Sequence, residues 1–321
     1  MKLACVGDVM LARGVSEELA HLEPDEPWGD TLTVLRRADL RLANLECCVS
    51  ERGRPFEPPR VFSFRAAPRA FDVLRAGGID VVTLANNHVL DYGPEALLDT
   101  LDGLDAAGIA HVGAGRTRAE ASAPAVLTAP DGTRLGVVGF TDNFPEYGAA
   151  DTRPGTFHLD VVPSAAQRVE RSMAHARELG ADFVVVTAHW GPNMRERPTA
   201  AFREFAQAVI EAGADAWFGH SAHIFQGVEF HQGRPIIYDA GDFIDDYAVD
   251  PRLRNDRSLI WMLDLGEDGV RLAAYPVQLS YARVDLAEGE AFDWIVRRLR
   301  ELSAEFGTSV RASGGRVEIR P

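Results

Sequence analysis

The chain has 321 residues, 46% hydrophobic and 8% aromatic, enough apolar matter to build a sizeable core and to exclude a wholly disordered chain. A formal net charge of −15 and a pI near 5.0 exclude a broad basic surface, so no nucleic-acid partner is expected. An anionic small molecule or polymer would have to meet positive charge gathered locally, on metal ions or on a few arginines.

The opening MKLACVGDVMLARGV is interrupted by Asp8 and Arg13 before a signal-peptide centre can build. No run approaches the ~18 apolar residues of a membrane span. Cys47 and Cys48 are adjacent, and the three cysteines show no zinc spacing, so reduced thiols in a soluble, cytoplasmic protein are expected.

Residues 2–7 read as a short buried strand that ends on Asp8, which could equally be a turn or capping residue. A helix over 31–38 leads into a strand over 39–45, ending in Asn44-Leu45-Glu46. The Pro- and charge-rich stretch 50–60 predicts an exposed loop. A helix over 71–76 stops at Gly77-Gly78, and the strand 79–84 runs into Asn86-Asn87-His88, with Asp91 three residues on. The spacing predicts a helix over 94–107, with Pro near its first turn and Gly108 as its stop. The segment VGAGRTRAEA after His111 lacks GxGxxG and reads as a connector. Strands over 124–128 and 134–140 flank the turn Asp131-Gly132, and 144–157 reads as an irregular lid or rim.

A helix over 164–179 precedes the apolar strand 182–188, which ends on His189-Trp190-Gly191. After a helix over 198–212, the run Ala216-Trp217-Phe218 ends at Gly219 and delivers His220 and His223, separated by the small Ser221 and Ala222. A His-x-x-His pair by itself is weak evidence, although neutral imidazole is a common transition-metal ligand. Strands over 259–265 and 270–279, a helix over 288–306 and a short strand or tail complete the chain. One α/β domain over 1–321 is expected, with a motif-bearing core over residues 2–245 that residues 258–321 complete.

Strands therefore end on Asp8, Glu46, Asn87-His88, His189 and His220/His223, and ligands of open α/β sheets lie outside the carboxyl ends of strands. Trp190, Tyr92 and Phe225 read as core or wall residues, and His21, His111, His158, His175 and His231 as surface or packing residues.

The ordered set GDVMLARGV, NLE, NNHVLDYG, HWG and GHSAHIFQGVE with IIYDAGD resembles the motif series of the calcineurin-like metallophosphoesterase superfamily, more closely its poly-γ-glutamate capsule-synthesis (CapA-type) branch. The resemblance implies a four-layer α/β/β/α sandwich. It implies that Asp8 binds one metal ion, that Glu46 bridges two, that Asn87, His189 and His220 complete the second, and that His223 returns to the first. It casts His88 as general acid or anion stabiliser with Asp91 orienting its ring, and Arg13 as a substrate-binding cation; for Arg13, capping or pairing with a surface acid is an equal alternative. Mixed oxygen and nitrogen donors suit two divalent transition-metal ions, Mn²⁺, Fe or Zn²⁺.

Three positions depart from the superfamily. Asp8-Val9-Met10 lacks the nitrogen of Asp-x-His, as that branch does, which leaves the first ion weakly held or absent. Glu46 replaces Asp. Asp242 stands where the branch commonly has Asn, as a substitute ligand or a turn residue. The implied activity is metal-dependent hydrolysis of a phosphoester; the alternatives are amide or γ-glutamyl bond chemistry and a non-catalytic, anion-binding role in polyglutamate or capsule assembly.

Overall fold

The structure, a computed structural model, describes residues 1–57 and 60–321; Pro58 and Pro59 of the expected loop 50–60 lie outside the described residues. Among the described residues, no helix is long and apolar enough to cross a membrane.

Apolar runs bounded by turns build two large sheets. In the first, Lys2–Val9, Leu40–Leu45, Val81–Thr83 and Ala110–Val112 lie side by side and parallel. Beyond Lys2–Val9 the antiparallel strands Arg257–Gly266, Gly269–Ser280, Arg316–Arg320 and Ser309–Ser313 extend it. In the second, Arg134–Thr141, Phe183–His189, Ala216–His220 and Arg234–Ile237 are parallel, edged by the antiparallel Ala125–Thr128 and Val228–His231.

The alternation of strand side chains decides the layers. Leu3, Cys5, Leu42 and Val81 share one buried cluster with Val137, Val185, Phe218 and Ile237, so the sheets meet face to face. Ala4, Val6, Ala43 and Val82, pointing the other way, pack with Leu74, Leu97 and Leu101 of helices Ala70–Ala76 and Gly93–Ala107. Val138, Phe140, Val186 and Trp217 pack with helices Ala166–Glu178 and Ala200–Glu211. The result is a four-layer α/β/β/α sandwich. The last helix, Gly289–Ala304, stands apart: its Ile295, Leu299 and Leu302 join the cluster between the sheets and close one side of it.

Several boundaries differ from those expected. The helix over 31–38 is α-helical only at Leu32–Leu35, after a 3₁₀ stretch Glu26–Thr31 that Gly29 breaks at φ 51°. The strand over 79–84 narrows to Val81–Thr83. The connector after His111 holds a strand, Ala114–Gly115, that pairs with Gly155–Thr156 of the expected irregular segment. A helix at Arg13–Leu19 and the hairpin Val228–His231/Arg234–Ile237 had no distinct sequence signal, and the tail forms a hairpin. Local pattern underestimates segments whose partners are distant in sequence.

Gly7 shows how closely the backbone is packed where Lys2–Val9 delivers its carboxylate. A Cβ there would lie 1.7 Å from the carbonyl oxygen of Gly241, so any side chain must push two backbone segments apart. Gly7→Ala is expected to destabilise by about 3 kcal/mol, the upper end of ordinary overpacking, which lowers Tm by about 4–5 °C in a chain of 321 residues. Gly266→Ala, where a Cβ meets nothing within 4 Å, serves as the control and should leave Tm unchanged in the same scanning calorimetry.

Candidate metal centre

Parallel strands in both sheets bring their carboxyl ends to one edge, and Asp8 is where the two sheets' contributions meet. In register it pairs with Asn44 on one side and Asp242 on the other. Its Oδ1 accepts from Asn44 Nδ2 at 2.8 Å and lies 3.7 Å from His220 Nδ1 and 3.9 Å from His189 Nδ1. Its Oδ2 lies 3.4 Å from His223 Nδ1, which donates to Asp242 Oδ1 at 2.8 Å.

Two groups of ligand-type atoms result, each with its atoms within 4.8 Å of one another: Asp8, His189 and His220, and Asp8, Glu46, His223 and Asp242. His189 Nε2 stands 3.8 Å from Glu46 Oε1, so the groups adjoin. Asp8, Glu46, His189, His220 and Asp242 are at most 1% exposed.

Asp8 Oδ2, Glu46 Oε1, Asn87 Oδ1 and Asp242 Oδ2 are buried without a hydrogen-bond partner. A buried, unsatisfied oxygen costs of order 1–3 kcal/mol, more when it carries charge. Three of the four, on Asp8, Glu46 and Asp242, belong to one ligand-type group and fit the demand of a bound cation, and carboxylates with imidazoles form a donor set that fits transition metals.

Electrostatics agree with that chemistry. Burial pushes Glu46 well above the usual carboxylate range, and the neighbouring Asp8 and Asp242 push it further. Asp242 is likewise well raised, by burial against the pull of His223. Burial would raise Asp8 too, but contact with His223 and the charge of His189 bring it below its ordinary value. Burial depresses His189 and takes His220 down to about 3, so both imidazoles are neutral at pH 7, the form in which they ligate. His223, between Asp242 and Glu46, is raised well above its usual value despite burial.

The chain holds these groups under strain. Ser221 and His223 adopt φ of 117° and 61°, unusual for residues with a side chain. Asp239 holds the loop by accepting from Ala222 N at 2.7 Å and Gly241 N at 3.0 Å; burial, then the neighbouring Asp8, push its carboxyl up to about 8.

His88 stands beside the two groups, its Nε2 4.0 Å from Glu46 Oε1. Its Nδ1 meets Asp91 Oδ2 at 2.6 Å, which leaves Nε2 to face the centre. Asp91 is fixed by Phe64 N at 2.8 Å and Tyr147 OH at 3.1 Å, and Phe64 stacks on the His88 ring with centroids 3.9 Å apart. Burial holds His88 below its ordinary pKa against the pull of Asp91.

Arg13 lies on the rim, 37% exposed at its side chain, with Nε 3.4 Å from Asp246 and its guanidinium 5.5 Å and 5.6 Å from the rings of Phe62 and Phe64. Of the arginines in 50–60, Arg52 pairs with Asp99, whereas Arg60 is enclosed by Phe56, Phe144 and Tyr147 and pairs with Glu146 at 2.9 Å. Met10, at the position of the missing nitrogen ligand, is fully buried, with Sδ 3.2 Å from Ala12 N. Asp242 is no turn residue: it opens the strand Asp242–Ile244.

Sequence reasoning missed Asn44, Asp239, Phe64, Tyr147 and Tyr247, whose OH donates to Glu46 Oε2 at 3.1 Å. Asn44 had a signal in hindsight, since a polar residue two before Glu46 on a strand shares its face. Phe64 and Tyr247 lie in loops and Tyr147 ends a single 3₁₀ turn, Pro145–Tyr147, and none of the three had a signal.

Back-to-back sheets with carboxylates and imidazoles at one strand edge define a protein of the metallophosphoesterase fold class. Within that class the chain belongs to the bacterial capsule synthesis protein family, PGA_cap, whose family model matches residues 2–247. It is 29% identical to a probable polyglutamine synthesis accessory protein of Mycobacterium tuberculosis, over 95% of this chain and 91% of that one. It is 27% identical to the capsule biosynthesis protein CapA of Bacillus anthracis, over 77% of this chain and 60% of that protein. Thermus thermophilus sulfate thiohydrolase SoxB, solved with glycerol, aligns with a TM-score of 0.47 and 13% identity over 95% of this chain and 60% of that one.

Proposed function

We propose that the chain is a metal-dependent hydrolase that cleaves phosphoesters at the edge formed by Asp8, Glu46, Asn87, His189, His220, His223 and Asp242. The observation that carries the reading is the presence of three buried, unpartnered carboxylate oxygens, on Asp8, Glu46 and Asp242, within two adjoining ligand groups. Asp8, Glu46, His223 and Asp242 would hold one divalent ion, Asn87, His189 and His220 the other, with Glu46 shared; Mn²⁺, Fe and Zn²⁺ all suit these donors. Such ions, when bound, polarise a phosphoryl oxygen and make a nucleophile from water near neutral pH.

The chain's own residues supply the rest. His88 Nε2 would give a proton to the leaving oxygen while Asp91 keeps the ring turned, and Phe64 shields that ring from water. Arg13, on the rim, would receive an anionic group of the substrate in exchange for its contact with Asp246.

Similarity to relatives named for polyglutamine synthesis and capsule biosynthesis supports one second reading, in which the same edge acts on an amide or γ-glutamyl bond. Mn²⁺-loaded protein is expected to turn over p-nitrophenyl phosphate and to leave γ-glutamyl-p-nitroanilide intact. Hydrolysis of the anilide alone would move the chemistry to acyl carbon. Turnover of neither, with metal bound, would overturn the hydrolase reading in favour of an accessory, polymer-handling role.

A further inference from the structure

A second concentration of positive charge lies outside the metal centre. Arg118, from the short helix Arg118–Ala121, and Arg168, Arg171 and His175 of Ala166–Glu178 line an open cavity of about 250 Å³ together with Phe157 and Ser172. None of the residues lining it is an Asp or Glu, in a chain whose net charge is −15, and none belongs to the metal centre.

The three positions on the longer helix follow a spacing of three and then four, which puts them on one face. Among the described residues, Arg168 and Arg171 have no carboxylate within 4.0 Å, and Arg118 has only the 87% exposed Asp151, at 3.2 Å. Arg168 is held in place: its guanidinium lies 5.2 Å over the Phe157 ring and Nη1 donates to His158 O at 3.4 Å. Partial burial, then the charges of Arg118 and Arg171, lower its affinity for its proton, and the opposing charge of Asp160 does not offset them.

One held guanidinium with two exposed ones beside it makes a receptor for an oxyanion, because Arg binds phosphate and carboxylate oxygens through paired N–H donors. We propose that this cavity is a second anion-binding site, taking phosphate or carboxylate groups independently of the metal centre. The ligand is either a free oxyanion or one stretch of a carboxylate-bearing polymer. The proposal does not rest on the hydrolase reading and survives its failure.

Calorimetric titration of metal-loaded protein with inorganic pyrophosphate and, separately, with hexaglutamate tests it. Pyrophosphate also meets the metal centre, so the same titrations are run on His189→Ala protein, in which the second site should persist. Arg168→Gln/Arg171→Gln should weaken binding at this site at least about tenfold, while Arg168→Lys/Arg171→Lys, which keeps the charge, should weaken it less. Both double variants should keep wild-type metal content and Tm, since Arg171 is exposed and Arg168 half-buried. In wild-type protein the count of pyrophosphate sites should exceed that of the Gln variant by one, a comparison that stands even if His189→Ala protein folds poorly. Tighter binding of hexaglutamate than of pyrophosphate assigns the site to a polymer, and the reverse order assigns it to a free anion. Binding of neither probe outside the metal centre, or binding that the Gln substitutions leave unchanged, overturns the proposal.

Discussion

His189→Ala is expected to lose at least about 1000-fold in turnover and one of two bound ions, whereas Asp242→Asn loses the other. His189 contributes to the group with Asp8 and His220 and stands 3.8 Å from Glu46, so its removal opens one group where the two adjoin. A Lewis-acid contribution of several kcal/mol, at ~1.36 kcal/mol per decade, gives the size of the loss. Elemental analysis of the purified proteins reads the stoichiometry without any assay. Two ions retained in His189→Ala protein would remove the imidazole from the ligand set.

Asp242→Asn separates a ligand from a merely structural carboxylate, because its cost in stability should depend on metal loading. Without metal, an isosteric amide at 242 still accepts from His223 and relieves the repulsion from Asp245 and Asp8, but forfeits the larger attraction between the Asp242 carboxylate and His223, so it should lower Tm. With metal, the variant forfeits the binding energy that couples ion to fold, so chelation should shift the wild-type Tm far more than the variant's. An Asp242 that only braced the strand would cost stability equally in both states.

What the chain discloses in its sequence is the set of strand ends. Asp8, Glu46, His189 and His220 each follow an apolar run, and parallel pairing brings such residues to one edge whatever the loops do. What it conceals are contacts closed across long separations. Asp242 looks like a turn residue beside Gly241, and joins the centre only because Asp242–Ile244 pairs with a strand more than 230 residues earlier. Tyr247 reaches Glu46 across 201 residues, and Tyr147 reaches Asp91 across 56. No periodicity in the sequence encodes a side chain whose partner arrives only when two sheets close. The helix Arg13–Leu19 escaped for a different reason: seven residues that include Gly14 and Ser16 carry too weak a local preference to announce it.

His88→Gln should cost about 100- to 1000-fold on alkyl phosphates, whose leaving oxygen must gain a proton, and far less on p-nitrophenyl phosphate, whose leaving group departs as a stable anion. The geometry argues for a donor rather than a ligand, since Nδ1 is engaged by Asp91 and Nε2 faces Glu46 from 4.0 Å. Metal content of the variant should stay at the wild-type value, which distinguishes it from His189→Ala. The pH profile adds a sign. Burial lowers His88 below its ordinary 6.5, and only the protonated ring can donate. For alkyl phosphates kcat/KM should therefore fall as pH rises through a value under 6.5, and His88→Gln should flatten that limb. Asp91→Asn, which removes the carboxylate that pulls the ring's pKa upward, should move the limb to still lower pH while leaving the donor in place. A limb that persists in His88→Gln belongs to another group, and an equal loss on both classes of phosphate would make His88 an anion stabiliser instead of the acid.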